Sequence, residues 1–299
     1  MTTGPALPSA PEALPLGELS DPVLVAPGPR LLRAVVEAYR EAAPRLVEPS
    51  VADLADGANE NESPDPSALP RLRVLAGESA VDAATAGFRE ASRFAALLDP
   101  GVLDLRVLDA PQPNPVLAGA ETGFGLIGGE SDDASEAGTR WYRVGDDATL
   151  RERYASRFAD AEPYRLRTPS RRRVYEGFAG RCEESVAAAV LRALDVESDA
   201  GPSEITGPDP EETRVRAYAV GAREGVLDRT LRRACEDAGL GSPSTFTRIK
   251  RLLREADLIG TVAESQPVGR PRERLAARGA LAAAETPAET VAAVRGVED

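Results

Sequence analysis

The side chains that most often carry catalysis are scarce in this chain. It contains no histidine, which removes Ser-His-Asp and Cys-His triads, imidazole zinc sites and phosphodiesterases with a histidine nucleophile. Two cysteines, Cys182 and Cys235, are too few for a zinc site of four thiolates. They read as small buried hydrophobes rather than a disulfide or a nucleophile. Glu130, Asp132 and Asp133 are metal-binding in type, but their Gly/Ser/Asp-rich setting reads as a solvated loop. VAPGPR (25–30) and VLAGES (74–79) follow strand-like runs and precede helical ones, where anions gather. Neither matches G-x-G-x-x-G or G-x-x-x-x-G-K-[ST], so their glycines read as turns. No general acid–base pair stands out. The expectation is a non-enzyme with no cofactor and no metal.

Residues 242–254 carry a different chemistry, that of binding. Ser244, Thr245, Thr247, Arg248, Lys250, Arg251 and Arg254 place hydroxyls and cations on one side of a helical pattern. Arg270 and Arg272 follow in a turn-like GRPR. Such groups bond phosphates and base edges. The surrounding segment 211–278 holds 14 Lys/Arg against 10 Asp/Glu, a net of +4; since the whole chain carries a formal −13, the rest carries −17. A locally basic module in an acidic protein points to a polyanion partner.

The elements that must position these groups follow from the apolar spacing. EETRVRAYAVGAREG (211–225) predicts a helix with Val215, Tyr218, Ala219 and Ala222 on one face. Thr230 is placed to cap a short helix over 231–238, whose inner face is Leu231, Ala234, Cys235 and Ala238. Gly239-Leu240-Gly241 makes a tight turn. Ser242 caps the next helix, 243–257, with Pro243 at its first position. That helix is expected to bury Phe246, Ile249, Leu252, Leu253 and Ala256. Together these are a helix-turn-helix, whose second helix enters the DNA major groove. LIGTVAES (258–265) and ERLAA (273–277) predict a hairpin with Arg270 and Arg272 near its tip, a wing able to reach the minor groove.

Residues 21–167 alternate in another way. Strand-like runs over 22–28, 71–77, 103–109, 114–120 and 124–130 are joined by helical patterns over 29–43 and 79–101, with a further helix over 147–163. This order predicts an α/β domain with an effector or dimerisation role, followed by a winged helix-turn-helix. The segments 1–20, 48–69 and 196–210 are expected to lie outside packed structure, as an N-terminal stretch, a loop insertion and a linker. Residues 168–195 are expected to be connecting helices, and the tail 279–299 a loose helix at most.

The run GLGSPSTFTRIKRLLREADLIGT…VGRPRERL, with RLRTPSRRRVYEGF, resembles the haloarchaeal transcriptional regulators called TbsP-like. ASRFAALLDPG and LDLRVLD extend the likeness into the N-terminal half. The resemblance implies a sequence-specific DNA-binding regulator of metabolic genes, with the DNA-contacting role on Ser244, Thr245, Thr247 and Arg248 and on the wing at Arg270 and Arg272. The insertion 48–69, the tail and the basic run Arg171-Arg172-Arg173 depart from it; the last would add a phosphate contact or cap a helix. The N-terminal alternation is also similar to sensor domains of other archaeal winged-helix regulators, some related to phospholipase D folds, whose chemistry needs a histidine absent here.

The composition agrees with a halophilic host. Asp+Glu total 49 and Lys+Arg 36, aromatics are 4%, and Lys250 is the single lysine. Hydrated carboxylates keep such chains soluble in molar salt; arginine-for-lysine codon bias in a GC-rich genome is the alternative. No run approaches 18 apolar residues and the N-terminus lacks a signal-peptide pattern, so a cytoplasmic protein without membrane contact is expected. The expected partners are double-stranded DNA, a second copy of the chain, through helix 147–163 or the segment 170–195, where Leu191 and Leu194 offer an apolar ridge, and a small-molecule effector on the N-terminal domain. The alternative functions are a winged helix used for protein docking, or an α/β enzyme with an appended winged helix.

Overall fold

The computed structural model describes residues 4–9, 11–56, 65–110, 112–127, 140–145, 148–196, 210–265, 271–295 and 297. The chain opens with a short antiparallel hairpin, β1 (Ala6–Leu7) and β2 (Leu14–Pro15). Strand β3 (Val23–Val25) leads into helices α1 (Pro29–Ala42), α2 (Pro44–Val47) and α3 (Val51–Ala55). Then come β4 (Leu72–Ala76), α4 (Glu78–Ala84), α5 (Phe88–Leu98), β5 (Leu103–Val107), β6 (Val116–Ala118), β7 (Gly123–Ile127), β8 (Arg140–Gly145) and α6 (Ala148–Asp160). The strands form one mixed sheet in the order β5-β4-β3-β6-β7-β8. The β5-β4-β3 half is parallel, because helices return the chain between its strands; the other half is antiparallel. Leu24, Val74 and Leu117 point to the face covered by α1 and α5, where Val35, Tyr39 and Phe94 pack. Val23, Val25 and Leu75 point to the opposite face, against Tyr154 and Phe158 of α6. The result is an α/β domain of three layers.

Several expectations change here. Helix 79–101 is two helices, since Gly87 sits in extended backbone as the N-cap of α5. The described residues within 1–20 are not left outside: Leu7 and Leu16 are fully buried on the α1 side of the sheet. Within 48–69, Ser50 and Asp53 form a capping box that starts α3, and Leu54 is buried. Strand β8 went unforeseen, although Trp141 anchors it. The acidic cluster Glu130, Asp132 and Asp133 and most of the 196–210 linker lie outside the described residues.

The second half comprises α7 (Arg171–Ala179), α8 (Glu184–Leu194), α9 (Pro210–Arg223), α10 (Asp228–Asp237), α11 (Pro243–Glu255), β9 (Ile259–Glu264), β10 (Arg272–Ala277), α12 (Gly279–Ala283) and α13 (Pro287–Val294). Helices α7 and α8 do not merely connect. Phe178, Val190 and Leu191 share one continuous core with Tyr218, Leu231, Phe246 and Leu275. The ridge Leu191–Leu194 is therefore buried inside the chain and is not free to form a dimer contact. The described part of the tail, 279–295, is also structured: Thr286 and Glu289 make a capping box at α13, and Val291 and Val294 enter the same core. Cys235 is buried, Cys182 is half-buried, and both are free thiols. Burial pushes the Cys182 thiol up to about 11, away from thiolate chemistry.

The run Arg171-Arg172-Arg173 does not cap a helix. Arg171 is buried, donates through Nε to the Pro49 carbonyl at 3.1 Å and pairs with Asp195, tying the two domains together. Arg172 lies 3.9 Å from Glu176.

Candidate nucleic-acid interface

Helix α11 begins where the sequence places it. Ser242 Oγ accepts from the Thr245 amide at 3.4 Å and lies 2.7 Å from Ser244 Oγ. Phe246, Ile249, Leu252 and Leu253 are buried, and the Phe246 ring stacks on Tyr218 of α9 with centroids 5.8 Å apart. This packing fixes the rotation of the helix about its axis. Its exposed residues include Ser244, Thr247, Arg251 and Arg254, spaced three, four and three residues apart in a single stripe, with Glu255 exposed at its C-terminal end. Ala256, expected inside, is exposed, because the helix stops at Glu255 and the chain turns through Asp257 at φ 53°.

The stripe is partly pre-set. The Thr247 hydroxyl donates to the Pro243 carbonyl at 2.9 Å and accepts from Arg232 of α10 at 3.1 Å. Arg251 lies 3.8 Å from Glu255. On one flank, Thr245 and Arg248 are half-buried, and Arg248 donates to Glu211 of α9.

Lys250, on the other flank, departs from its expected place on the DNA-facing side. Its ammonium lies 3.2 Å from Asp228 and 2.5 Å from Glu273, and its side chain is only 13% exposed. Asp228 also accepts from the Tyr218 hydroxyl at 2.5 Å and from Arg232 at 2.8 Å. Burial and the bond to Asp228 hold the Tyr218 hydroxyl far above the ordinary phenol range. The single lysine thus joins α10, α11 and the wing. Helix α10 starts at Asp228, earlier than expected, so Thr230 lies within it and caps nothing.

The wing is an antiparallel hairpin with Arg272 opposite Glu264 and Ala277 opposite Ile259. Arg274 donates to Glu264 at 3.0 and 2.8 Å across it and to the Gly225 carbonyl at 2.6 Å. Arg272 is exposed at the start of β10, while Arg270 lies outside the described residues. Between the wing and α10 runs an open groove of about 1190 Å³, lined by Arg229, Arg232, Arg233 and Arg272 among others. Sequence reasoning missed Arg229 and Arg233. Their signal was available, since they stand four residues apart on the outer face of a helix whose inner face is Leu231 and Ala234.

Among the described residues, no group of three His, Cys, Asp or Glu is placed to hold a metal, and no helix is long and apolar enough to cross a membrane.

A capped basic helix behind a glycine turn, followed by a hairpin wing and joined to an α/β domain, defines a winged-helix regulator. The chain belongs to the TbsP-like transcriptional regulators. The family described as "Transcriptional regulator TbsP-like, N-terminal" matches residues 29–169, and "Transcriptional regulator TbsP-like, C-terminal HTH domain" matches residues 170–295. The boundary between them falls just before α7, although Leu54 and Phe88 of the N-terminal half pack into the core of the second. No curated protein and no solved structure matches the chain. The family makes this a helix-turn-helix regulator that binds DNA.

Proposed function

We propose that the chain is a sequence-specific regulator of metabolic genes in a halophilic archaeon, binding double-stranded DNA in the cytoplasm as a homodimer. The stripe Ser244, Thr247, Arg251 and Arg254 carries this reading: its helix is locked by a buried opposite face, and it offers hydroxyls near the N-terminus and guanidinium groups further along. Ser244, Thr245, Thr247 and Arg248 lie where a recognition helix meets base edges, while Arg251, Arg254, Arg270 and Arg272 suit phosphates or the minor groove. The N-terminal α/β domain is the seat of an effector response.

Dimerisation brings two recognition helices to half-sites about one helical turn apart. Light scattering at micromolar concentration in high salt checks this, and a monomer argues against it. The decisive experiment is genome-wide mapping of bound DNA, then affinity for the recovered operator across a potassium series. In a cell holding molar salt most of the counterion-release gain disappears. Binding is therefore expected to survive above about 1 M salt, with a shallow slope. Loss of binding by a few tenths molar, with the fold intact by circular dichroism, would refute the reading.

A further inference from the structure

The proposal rests on the regulator reading and concerns the junction of the two domains. A cleft of about 630 Å³ lies there, within the usual range for small-molecule sites, roughly 300–1,000 Å³. Its walls include Arg71 ahead of β4, Arg165 and Arg167 in the segment after α6, and Arg173 in the first turn of α7. All four side chains are exposed, and among the described residues none has a carboxylate within salt-bridge distance. In this acidic chain other arginines do have one: Arg40, Arg89, Arg93 and Arg151 each stand against a glutamate or an aspartate. The acids that line the cleft are engaged elsewhere. Asp99 accepts from Ser170 Oγ at 3.1 Å, and Asp104 lies 3.6 Å from Arg106. Ser170 therefore does not cap α7, whose nine-residue helix begins at the cleft wall. Leucine side chains of α5 and β5 line it between the arginines.

The same cleft touches the helix-turn-helix. Gly239, in its turn, is part of the lining. Its φ is +74°, and a Cβ there would stand 2.9 Å from Arg173 Nε, so the Arg173 side chain lies directly on the turn. Three residues on is Ser242, the N-cap of α11. Below Arg173, Gly177 brings α7 against the backbone of Ala238, the last residue before that turn. A ligand that draws Arg173 into the cleft therefore acts on the start of α11.

We propose that this cleft binds a small dianion, a phosphate or phosphate monoester, through Arg71, Arg165, Arg167 and Arg173, and that Arg173 transmits its occupancy to α11. Four arginines from three segments line one cleft; a phosphate accepts paired bonds from guanidinium groups. Contact with DNA phosphates is the competing use, but it suits a convex surface better than a recess with leucines in its wall.

The test uses the full chain and calorimetric titration with glycerol 3-phosphate, inorganic phosphate and glycerol. Saturable binding of the ester with one site per chain, and none of glycerol, is expected. Inorganic phosphate binding as tightly as the ester would support the site and identify free phosphate as the source. The double variant R165Q/R167Q should weaken binding about tenfold or more. Operator affinity should shift at least about fivefold on saturation, and R173Q should remove that shift. If neither phosphate probe saturates, or R165Q/R167Q binds as the wild type does, the site is refuted. If R165Q/R167Q loses operator affinity without any phosphate present and keeps ester binding, the arginines serve DNA and the proposal falls. Absence of a shift in the wild type overturns the coupling. If the wild type binds the ester but no DNA, the regulator reading fails while the site stands.

Discussion

Lys250→Met tests whether the single lysine holds the DNA-binding domain together or contacts DNA. Methionine keeps most of the side-chain volume and removes the charge. Removing one partner of a buried ion pair costs about 3–5 kcal/mol when the remaining charge is stranded. Asp228, 8% exposed at its side chain, is not fully stranded, because Arg232 and Tyr218 still donate to it. Glu273 is 57% exposed, and a surface pair of that kind contributes no more than about 1 kcal/mol. The expected loss is therefore about 2 kcal/mol, between the two limits. For a domain spanning residues 170–295 that lowers Tm by roughly 6–10 °C. The assay is thermal unfolding by circular dichroism at one fixed salt concentration, for Lys250→Met, Asp228→Asn and the double variant. A coupling of about 1 kcal/mol or more between the two sites is expected, because they share one network. Additive effects, within about 0.3 kcal/mol, would refute the reasoning. So would an unchanged Tm with weakened DNA binding, which is the signature of a phosphate contact.

Other outcomes are checked by comparable measurements. Arg248→Ala should cost about 1–3 kcal/mol of operator affinity and relax base preference at one position, whereas Arg254→Ala should weaken all sequences alike; equal, sequence-independent losses would make Arg248 a phosphate contact. Because Arg248 is held by Glu211, Glu211→Gln should free it and raise operator affinity a few-fold, and a loss instead would mean that the pair pre-orients the arginine. Gly177→Ala should destabilise by about 1–3 kcal/mol or more, since the new Cβ would collide with the backbone of Ala238; a rise in Tm would show that α7 can move away. Burial raises the Glu48 pKa, but hydrogen bonds from Arg89 and Arg93 outweigh it and hold the carboxyl below the ordinary glutamate value of 4.5. A depressed carboxyl stabilises the fold above that value and loses its contribution as pH falls through the folded-state pKa. Glu48→Gln should therefore lower Tm at neutral pH, with the gap to wild type closing as the pH falls below the ordinary glutamate value.

The local patterns of the C-terminal half were legible because short-range physics sets them. Ser242 followed by Pro243, the glycine turn and the spacing of Phe246, Ile249, Leu252 and Leu253 determine where α11 begins and which side it buries. The alternation of apolar runs and helical patterns likewise determined an α/β domain ahead of the winged helix. What depends on contact between distant residues was not legible. Leu191 and Leu194 form an apolar ridge in sequence, but only packing decided that α9 and α13 cover α8 rather than a second chain. Leu7, Leu16, Val291 and Val294 belong to weak local patterns and become core because neighbours far along the chain close over them. Lys250 carries the same charge as the arginines beside it. The tertiary structure alone decided that Asp228 and Glu273 surround it, because helix rotation and the return of the wing bring together carboxylates 22 residues before it and 23 after it. The four arginines of the junction cleft are scattered from 71 to 173, and no spacing rule joins them; their convergence follows from the docking of α7 beside the edge of the sheet.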